Sequence, residues 1–141
     1  MRPTIKILFL TLLIFASACT RRGDGSLAPD APPDAVPPLE GDYVVNGLDP
    51  LGTEYSGVLT IFTTDIPDKY SMQWIIVGSI QHGKGILEGN VLRVEWDSLE
   101  EVGGGMHGTS TYTVTVNGQL YGTRTVDGQT EKGTETAYPN Q

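Results

Sequence analysis

Short β-prone runs recur through the last hundred or so residues of the chain and constrain its fold more than any other feature. The runs are rich in Val, Ile, Thr, Tyr and Trp and begin about every ten residues. Turn dipeptides such as Gly89-Asn90, Asn117-Gly118 and Asp127-Gly128 separate several of them. No stretch has the 3.6-residue apolar period of a helix. The pattern predicts an all-β domain whose successive strands are joined by short turns.

The spacing predicts eight strands, near residues 41–47, 55–64, 69–77, 79–88, 91–97, 109–116, 119–126 and 130–138. Short strands joined mostly by tight turns favour an up-and-down antiparallel β-barrel, which closes so that no strand edge stays unpaired. A two-sheet β-sandwich is the alternative arrangement of the same strands.

The hairpin around Gly89-Asn90 predicts a register. A two-residue turn there sorts the side chains onto one apolar and one polar face. The apolar pairs are Leu87 with Leu92, Gly85 with Val94 and Gly83 with Trp96, and the polar pairs are Lys84 with Glu95 and His82 with Asp97. We therefore expect the Trp96 ring to lie inside the barrel over Gly83.

Alternation along the other strands predicts further inward side chains: Tyr43, Val45, Gly57, Leu59, Ile61, Tyr70, Met72, Trp74, Ile76, Tyr112 and Val114. The register after Asn117-Gly118 stays open. A turn with one bulged residue continues the inward set with Leu120, Gly122 and Arg124, whereas a plain two-residue turn leaves Leu120 facing Thr115.

Arg124 is the unusual inward candidate, because a buried guanidinium is tolerable only when it is paired. Glu131 and Glu135 on the next strand are the candidate partners. Alternatively, Arg124 binds an anionic ligand inside the barrel, with Trp74 and Trp96 as further ligand-binding candidates. An eight-stranded barrel can be filled by side chains or can hold one small ligand, so both possibilities stay open.

The longer loops of such a meander share the end of the barrel opposite the termini. That end carries Gly47–Glu54, Ser98–Gly108 and Val126–Gln129, together with the short turn at Gly78. Long loops on a rigid scaffold are the usual binding surface. We therefore expect a small ligand or an envelope protein to bind at this rim, with Glu100, Glu101 and His107 as candidate contacts.

No motif in the chain predicts catalysis, a cofactor or a metal. The sequence lacks a nucleophile motif, a phosphate-binding loop and a histidine pair at zinc spacing. Asp97, Glu100 and Glu101 lack the alternating oxygen ligands of a dedicated calcium loop. From residue 40 onward, five Lys and Arg stand against 14 Asp and Glu, a net charge of −9 that disfavours nucleic acid as a partner.

The first 18 residues are typical of a secretion signal. Arg2 and Lys6 precede the nine-residue apolar run Ile7–Phe15, which is shorter than the roughly 20 residues that a membrane span requires. Ala16–Ala18 satisfies the small-residue rule for ordinary cleavage, which would release a soluble secreted or periplasmic protein.

The segment Ser17-Ala18-Cys19 also resembles the bacterial lipoprotein signal, in which a diacylglyceryl group is attached to the cysteine. Cys19 is the only cysteine, so it has no disulfide partner within the chain. The resemblance implies a membrane anchor made of palmitate-type acyl chains on Cys19. It also implies the outer membrane, because Thr20 is not the aspartate that retains such proteins in the inner membrane.

Residues 19–39 are expected to form a disordered tether between this anchor and a barrel domain at 40–141. Five prolines and three aspartates lie between Thr20 and Glu40, a composition that disfavours a packed structure. About 20 such residues reach roughly 25 Å as a coil and about 60 Å as extended polyproline.

The phrases "GDYVV", "YSGVLTI" and "GQLYGT" look like those of small bacterial meander barrels, distantly similar to the calycin group. This resemblance implies only the fold. We expect a non-enzymatic binding or interaction module in the cell envelope. The alternatives are a structural envelope lipoprotein with a plugged barrel and an inhibitor of an exported enzyme.

Overall fold

The computed structural model describes residues 25–99 and 105–140. Their eight strands are β1 (Gly41–Leu48), β2 (Glu54–Thr63), β3 (Lys69–Ile76), β4 (Ser79–Glu88), β5 (Val91–Ser98), β6 (His107–Val114), β7 (Leu120–Arg124) and β8 (Gly133–Pro139). All eight predicted strands are present, and their ends differ from the predicted ends by at most three residues.

The strands form a closed antiparallel barrel in which each strand pairs with the next and β8 returns to pair with β1. The predicted up-and-down barrel is confirmed, and the two-sheet alternative is wrong. Closure pairs every strand on both sides, which removes the free edges that a sandwich would leave. Within the two described stretches, no helix has the length and apolar character needed to cross a membrane.

The β4–β5 hairpin has the predicted register. Gly83 pairs with Trp96, Gly85 with Val94 and Leu87 with Leu92, and Lys84 pairs with Glu95 on the outer face. Gly89 has a positive φ of 60°, the conformation that a type II′ turn requires at its first central residue. The backbone conformation of the turn and the alternation of inward and outward side chains therefore specify the same register for this hairpin.

The prediction that the Trp96 ring covers Gly83 is wrong. A methyl group at Gly83 would lie 2.8 Å from Cζ3 of Trp74 and 2.9 Å from Cγ1 of Val94. The Trp96 ring lies against Gly108 of β6, where a methyl group would be 3.1 Å from Cζ2. Each ring thus leans over a glycine of the following strand, because a glycine leaves room for it.

The turn between β6 and β7 contains the extra residue that the sequence left open. Val114 pairs with Leu120, and the backbone N–H of Gly118 donates to the carbonyl oxygen of Thr115 at 2.9 Å. Gly118 has a φ of 75°, as in a three-residue hairpin loop that ends in a bulge. This geometry directs Leu120 and Arg124 into the barrel, where both are buried.

The inward set forms the core. The side chains of Tyr43, Val45, Leu59, Ile61, Met72, Trp74, Tyr112 and Val114 are all buried, as predicted. Tyr70 and Ile76, which lie near opposite ends of β3, are partly buried and pack against this cluster. Leu39, which precedes β1, joins the core with 1% of its surface exposed.

Residues 25–39, which we call the amino-terminal segment, were expected to form a disordered tether. They lie instead against the end of the barrel that carries the β2–β3, β4–β5 and β6–β7 turns, which we call the tight-turn end. Ala31 is buried, and its carbonyl oxygen accepts a hydrogen bond from Asn90 Nδ2 at 2.8 Å. The Tyr43 hydroxyl donates to the Leu39 carbonyl oxygen at 2.8 Å. Composition was misleading because prolines reduce the entropy that the chain loses on ordering, so a few buried contacts hold the segment.

We expect Gly83→Val to destabilise the barrel. Its side chain would enter the space held by the Trp74 ring and Val94, and overpacking of a core costs about 1–3 kcal/mol. The free energy of unfolding, measured by urea denaturation, should fall by that amount. Lys84→Val is the control, because it places the same side chain on the exposed outer face of β4, next to Gly83 and away from the core. Equal losses in both variants would contradict the assigned packing of Trp74.

Candidate functional site at the barrel mouth

The candidate site is an open cavity of about 260 Å³ at the end of the barrel that carries the longer loops. We call it the mouth. Leu48 and Leu51 line it from the β1–β2 side, Val77 from the β3–β4 turn, and Met106 from the residues just before β6. Leu51 and Val77 are 82% and 95% exposed. The rim of the mouth is therefore apolar and open to solvent.

Arg124 lies at the floor of the mouth, with 5% of its surface exposed. Its Nη1 donates to Glu135 Oε2 at 2.7 Å, and its Nη2 donates to Gln81 Oε1 at 2.6 Å. The guanidinium carbon lies 5.0 Å from the ring centroid of Trp74 and 4.5 Å from that of Trp96. Such contacts are attractive cation–π interactions and are strongest when they are desolvated.

Several donors of the floor share one acceptor, the carboxylate of Glu135, which is only 1% exposed. Its Oε1 accepts hydrogen bonds from Trp74 Nε1 at 3.0 Å and from the Tyr112 hydroxyl at 2.6 Å. Its Oε2 accepts from the Tyr55 hydroxyl at 2.6 Å and from Arg124. We call these five residues the Glu135 network. Four donors saturate the roughly four lone-pair sites of a carboxylate.

The electrostatics keep the protons on the Tyr112 and Tyr55 hydroxyls and on the Arg124 guanidinium. Burial raises the pKa of Tyr112 well above its usual range, and the Glu135 carboxylate raises it further. The same two causes, in the same order, raise the pKa of Tyr55. Burial, the largest single cause, would by itself lower the pKa of Arg124, but Glu135, Tyr112 and Tyr55 together outweigh it and the pKa is raised. Both hydroxyls therefore remain donors, and Arg124 remains charged.

The structure brings together part of the predicted site. Arg124 and Trp96 line the mouth, whereas Trp74 lies fully buried against Arg124. Glu135 is the ion-pair partner of Arg124, while Glu131, the other candidate, is exposed in the β7–β8 loop. Arg124 therefore has a partner within the chain, as the structural alternative predicted.

The structure does not place the remaining predicted contacts at the mouth. His107 begins β6 on the outer surface, where its Nε2 lies 3.1 Å from Asp127 Oδ2. Glu100 and Glu101 lie outside the described residues, as does the proposed lipidation residue Cys19.

Two residues of the floor were missed at the level of sequence. Gln81 accepts a hydrogen bond from Arg124, and Tyr55 donates one to Glu135. Alternation contained the signal for both, because Gln81 lies two residues before the inward Gly83 and Tyr55 lies two before the inward Gly57. Both were overlooked because the inward set was chosen mainly from apolar residues.

The acceptor oxygens and the positive charge of the floor are already used within the chain. Glu135 has no lone pair left to accept a proton from a substrate, and the charge of Arg124 is already balanced. In the described parts of the chain, no group of three or more His, Cys, Asp or Glu side chains is arranged to hold a metal ion. Apolar walls above a hydrogen-bonded floor resemble a small-molecule pocket.

Comparison with known proteins supplies no function for this mouth. Neither the models of known protein families nor the curated proteins include a match to this chain. Any function assigned to the mouth therefore rests on its own chemistry.

We expect Glu135→Gln to destabilise the protein strongly, because Arg124 would remain buried without a counter-charge. Breaking a buried ion pair from one side costs about 3–5 kcal/mol. The double variant Arg124→Met/Glu135→Gln should recover part of this loss, since it removes the unpaired charge. Urea denaturation of the two variants measures the difference. A Glu135→Gln protein as stable as the wild type would show that the interior does not depend on this pair.

Proposed function

We propose that this protein is a lipid-anchored protein of the cell envelope whose barrel mouth binds a small molecule without transforming it. The observation that carries the proposal is the mouth itself, an open cavity with apolar walls and a floor of buried, hydrogen-bonded groups. Exposed apolar patches on soluble domains mark interaction sites, and the rim residues Leu51 and Val77 form part of such a patch.

The size of the mouth limits the ligand. Its volume of about 260 Å³ is just below the roughly 300–1,000 Å³ of typical ligand pockets. The mouth therefore takes a small molecule, or one end of a longer one that extends beyond the rim.

The proposed anchor suits a mouth that faces away from the membrane. The carbonyl oxygen of Gly25 accepts a hydrogen bond from the Tyr138 hydroxyl at 2.7 Å, near the tight-turn end of β8. Only residues 20–24 separate Cys19 from this point, and a fully extended chain of that length spans at most about 20 Å. Lipidation at Cys19 would hold the tight-turn end close to the membrane, and we place it at the outer membrane because of Thr20.

A structural lipoprotein with a plugged barrel is the second candidate. The observation that favours it is the Glu135 network, which fills the interior beneath the mouth with buried side chains. The two candidates differ in whether a ligand binds at the mouth. Only the binding module uses the cavity above the buried side chains.

We expect Val77→Asp to abolish ligand binding at the mouth and Val116→Asp, at the tight-turn end, to leave it unchanged. Both changes place a carboxylate at an exposed valine, but only Val77 lines the mouth. The measurement is a screen of a small-fragment library by intrinsic fluorescence, because both tryptophans contact Arg124 at the floor. If no fragment alters the fluorescence of the wild type, the structural candidate becomes the better one.

We expect cells that produce the wild-type protein to incorporate labelled palmitate into it, and Cys19→Ala to abolish the label. The modified protein should partition into the detergent phase, since acyl chains confer membrane affinity. An unlabelled wild-type protein in the soluble fraction would contradict the anchor and favour ordinary cleavage after Ala18. Neither result would alter the expected behaviour of the mouth in the purified domain.

A further inference from the structure

The floor of the mouth is rich in hydrogen-bond donors and poor in acceptors. Gln81 Oε1 already accepts from Arg124, and the carboxylate oxygens of Glu135 are each used twice. Arg124 carries five N–H donors, of which its hydrogen bonds within the described residues use Nη1 and Nη2 once each. A ligand that reaches the floor therefore meets donors that its own acceptor atom can satisfy.

Trp96 provides a second and independent indication of an acceptor. Its side chain lines the mouth and is 4% exposed. Its Nε1 is buried and has no hydrogen-bond partner among the described residues. An unpaired buried donor is costly, and most such groups in proteins have a partner from protein, water or ligand. By contrast, Trp74 Nε1 donates to Glu135.

The charges of the groups that line the mouth favour a neutral ligand. The guanidinium of Arg124 is balanced by the Glu135 carboxylate 2.7 Å away, so the floor has no net positive charge with which to attract an anion. Asp49 also lines the mouth, on a domain whose net charge is −9. A cation would lose its hydration at a floor whose acceptor oxygens, those of Gln81 and Glu135, are already used within the chain. Neither charged class is favoured.

We propose, on the basis of the function proposed for the mouth, that its ligand is a neutral, mainly apolar molecule ending in a carbonyl-type acceptor. The acceptor oxygen takes the hydrogen bond of Trp96 Nε1 beside Arg124. The apolar part lies along the walls formed by Leu51, Ile76 and Val126. Primary and secondary amides, esters and ketones with short alkyl chains belong to this class.

The test compares three probes that share an eight-carbon chain and differ in the charge of the end group: octanamide, octanoate and octylammonium. Each is titrated into the purified domain and followed by fluorescence and by the indole N–H signals of a ¹⁵N–¹H spectrum. The chain has two tryptophans, so the spectrum holds two such signals, which Trp96→Phe assigns. We expect octanamide to bind at least tenfold more tightly than the other probes and to shift the Trp96 signal downfield.

Trp96→Phe also tests the contact itself. It removes the unpaired donor and retains an aromatic ring beside Arg124, and no described hydrogen bond is lost. Loss of one neutral hydrogen bond is worth about 1 kcal/mol, so the affinity for octanamide should fall about fivefold. The matched control Val116→Asp, at the other end of the barrel, should leave the affinity unchanged.

The outcomes separate this inference from the function on which it rests. Tightest binding by octanoate or octylammonium would overturn the neutral class while the mouth remains a binding site. Binding of octanamide without a shift of the Trp96 signal would overturn the assigned contact. If no probe and no fragment of the wider library binds, the proposed function fails as well. Should Trp96→Phe not fold, the wild-type spectrum still decides. The Trp96 ring lies against Gly108 and the Trp74 ring against Gly83, so nuclear Overhauser contacts assign the two indole signals.

Discussion

The ion pair between Arg124 and Glu135 is the interaction on which the interior of this barrel depends. Both side chains are almost fully buried, and charges in that position are tolerated only with close partners and full hydrogen bonding. The contacts around the pair draw on every strand except β1. The Glu135 network contains Tyr55 of β2, Trp74 of β3, Tyr112 of β6, Arg124 of β7 and Glu135 of β8, and Arg124 also contacts Gln81 of β4 and Trp96 of β5.

This network divides the barrel into two parts with different chemistry. On the tight-turn side lies an apolar core, which Leu39 of the amino-terminal segment helps to close. On the loop side lies the mouth, whose floor consists of the outermost groups of the network. Because the pair is neutral overall and its acceptors are occupied, it presents donors to the mouth without a net charge. The same contacts that hold the strands together would therefore also determine the chemistry of a ligand in the proposed site.

The amino-terminal segment determines the end of the barrel from which the chain leaves the domain. Its contacts with Asn90 and Tyr138 hold it at the tight-turn end, so a chain that leaves the domain through Gly25 departs on the side opposite the mouth. With the proposed lipid at Cys19, the barrel would be held near the membrane by a short connection rather than by a long tether. Such an arrangement keeps the mouth accessible from the surrounding aqueous space.

The local features of this protein can be predicted from its sequence alone. Two-residue alternation and the turn at Gly89-Asn90 were enough for eight strands and for the pairing of Gly83 with Trp96, because both depend on neighbours in the chain. The contacts across the interior, by contrast, were settled by tertiary packing. It paired Arg124 with Glu135 instead of Glu131 and laid the Trp74 ring on Gly83, because these contacts depend on barrel closure and ring direction, which no local pattern records.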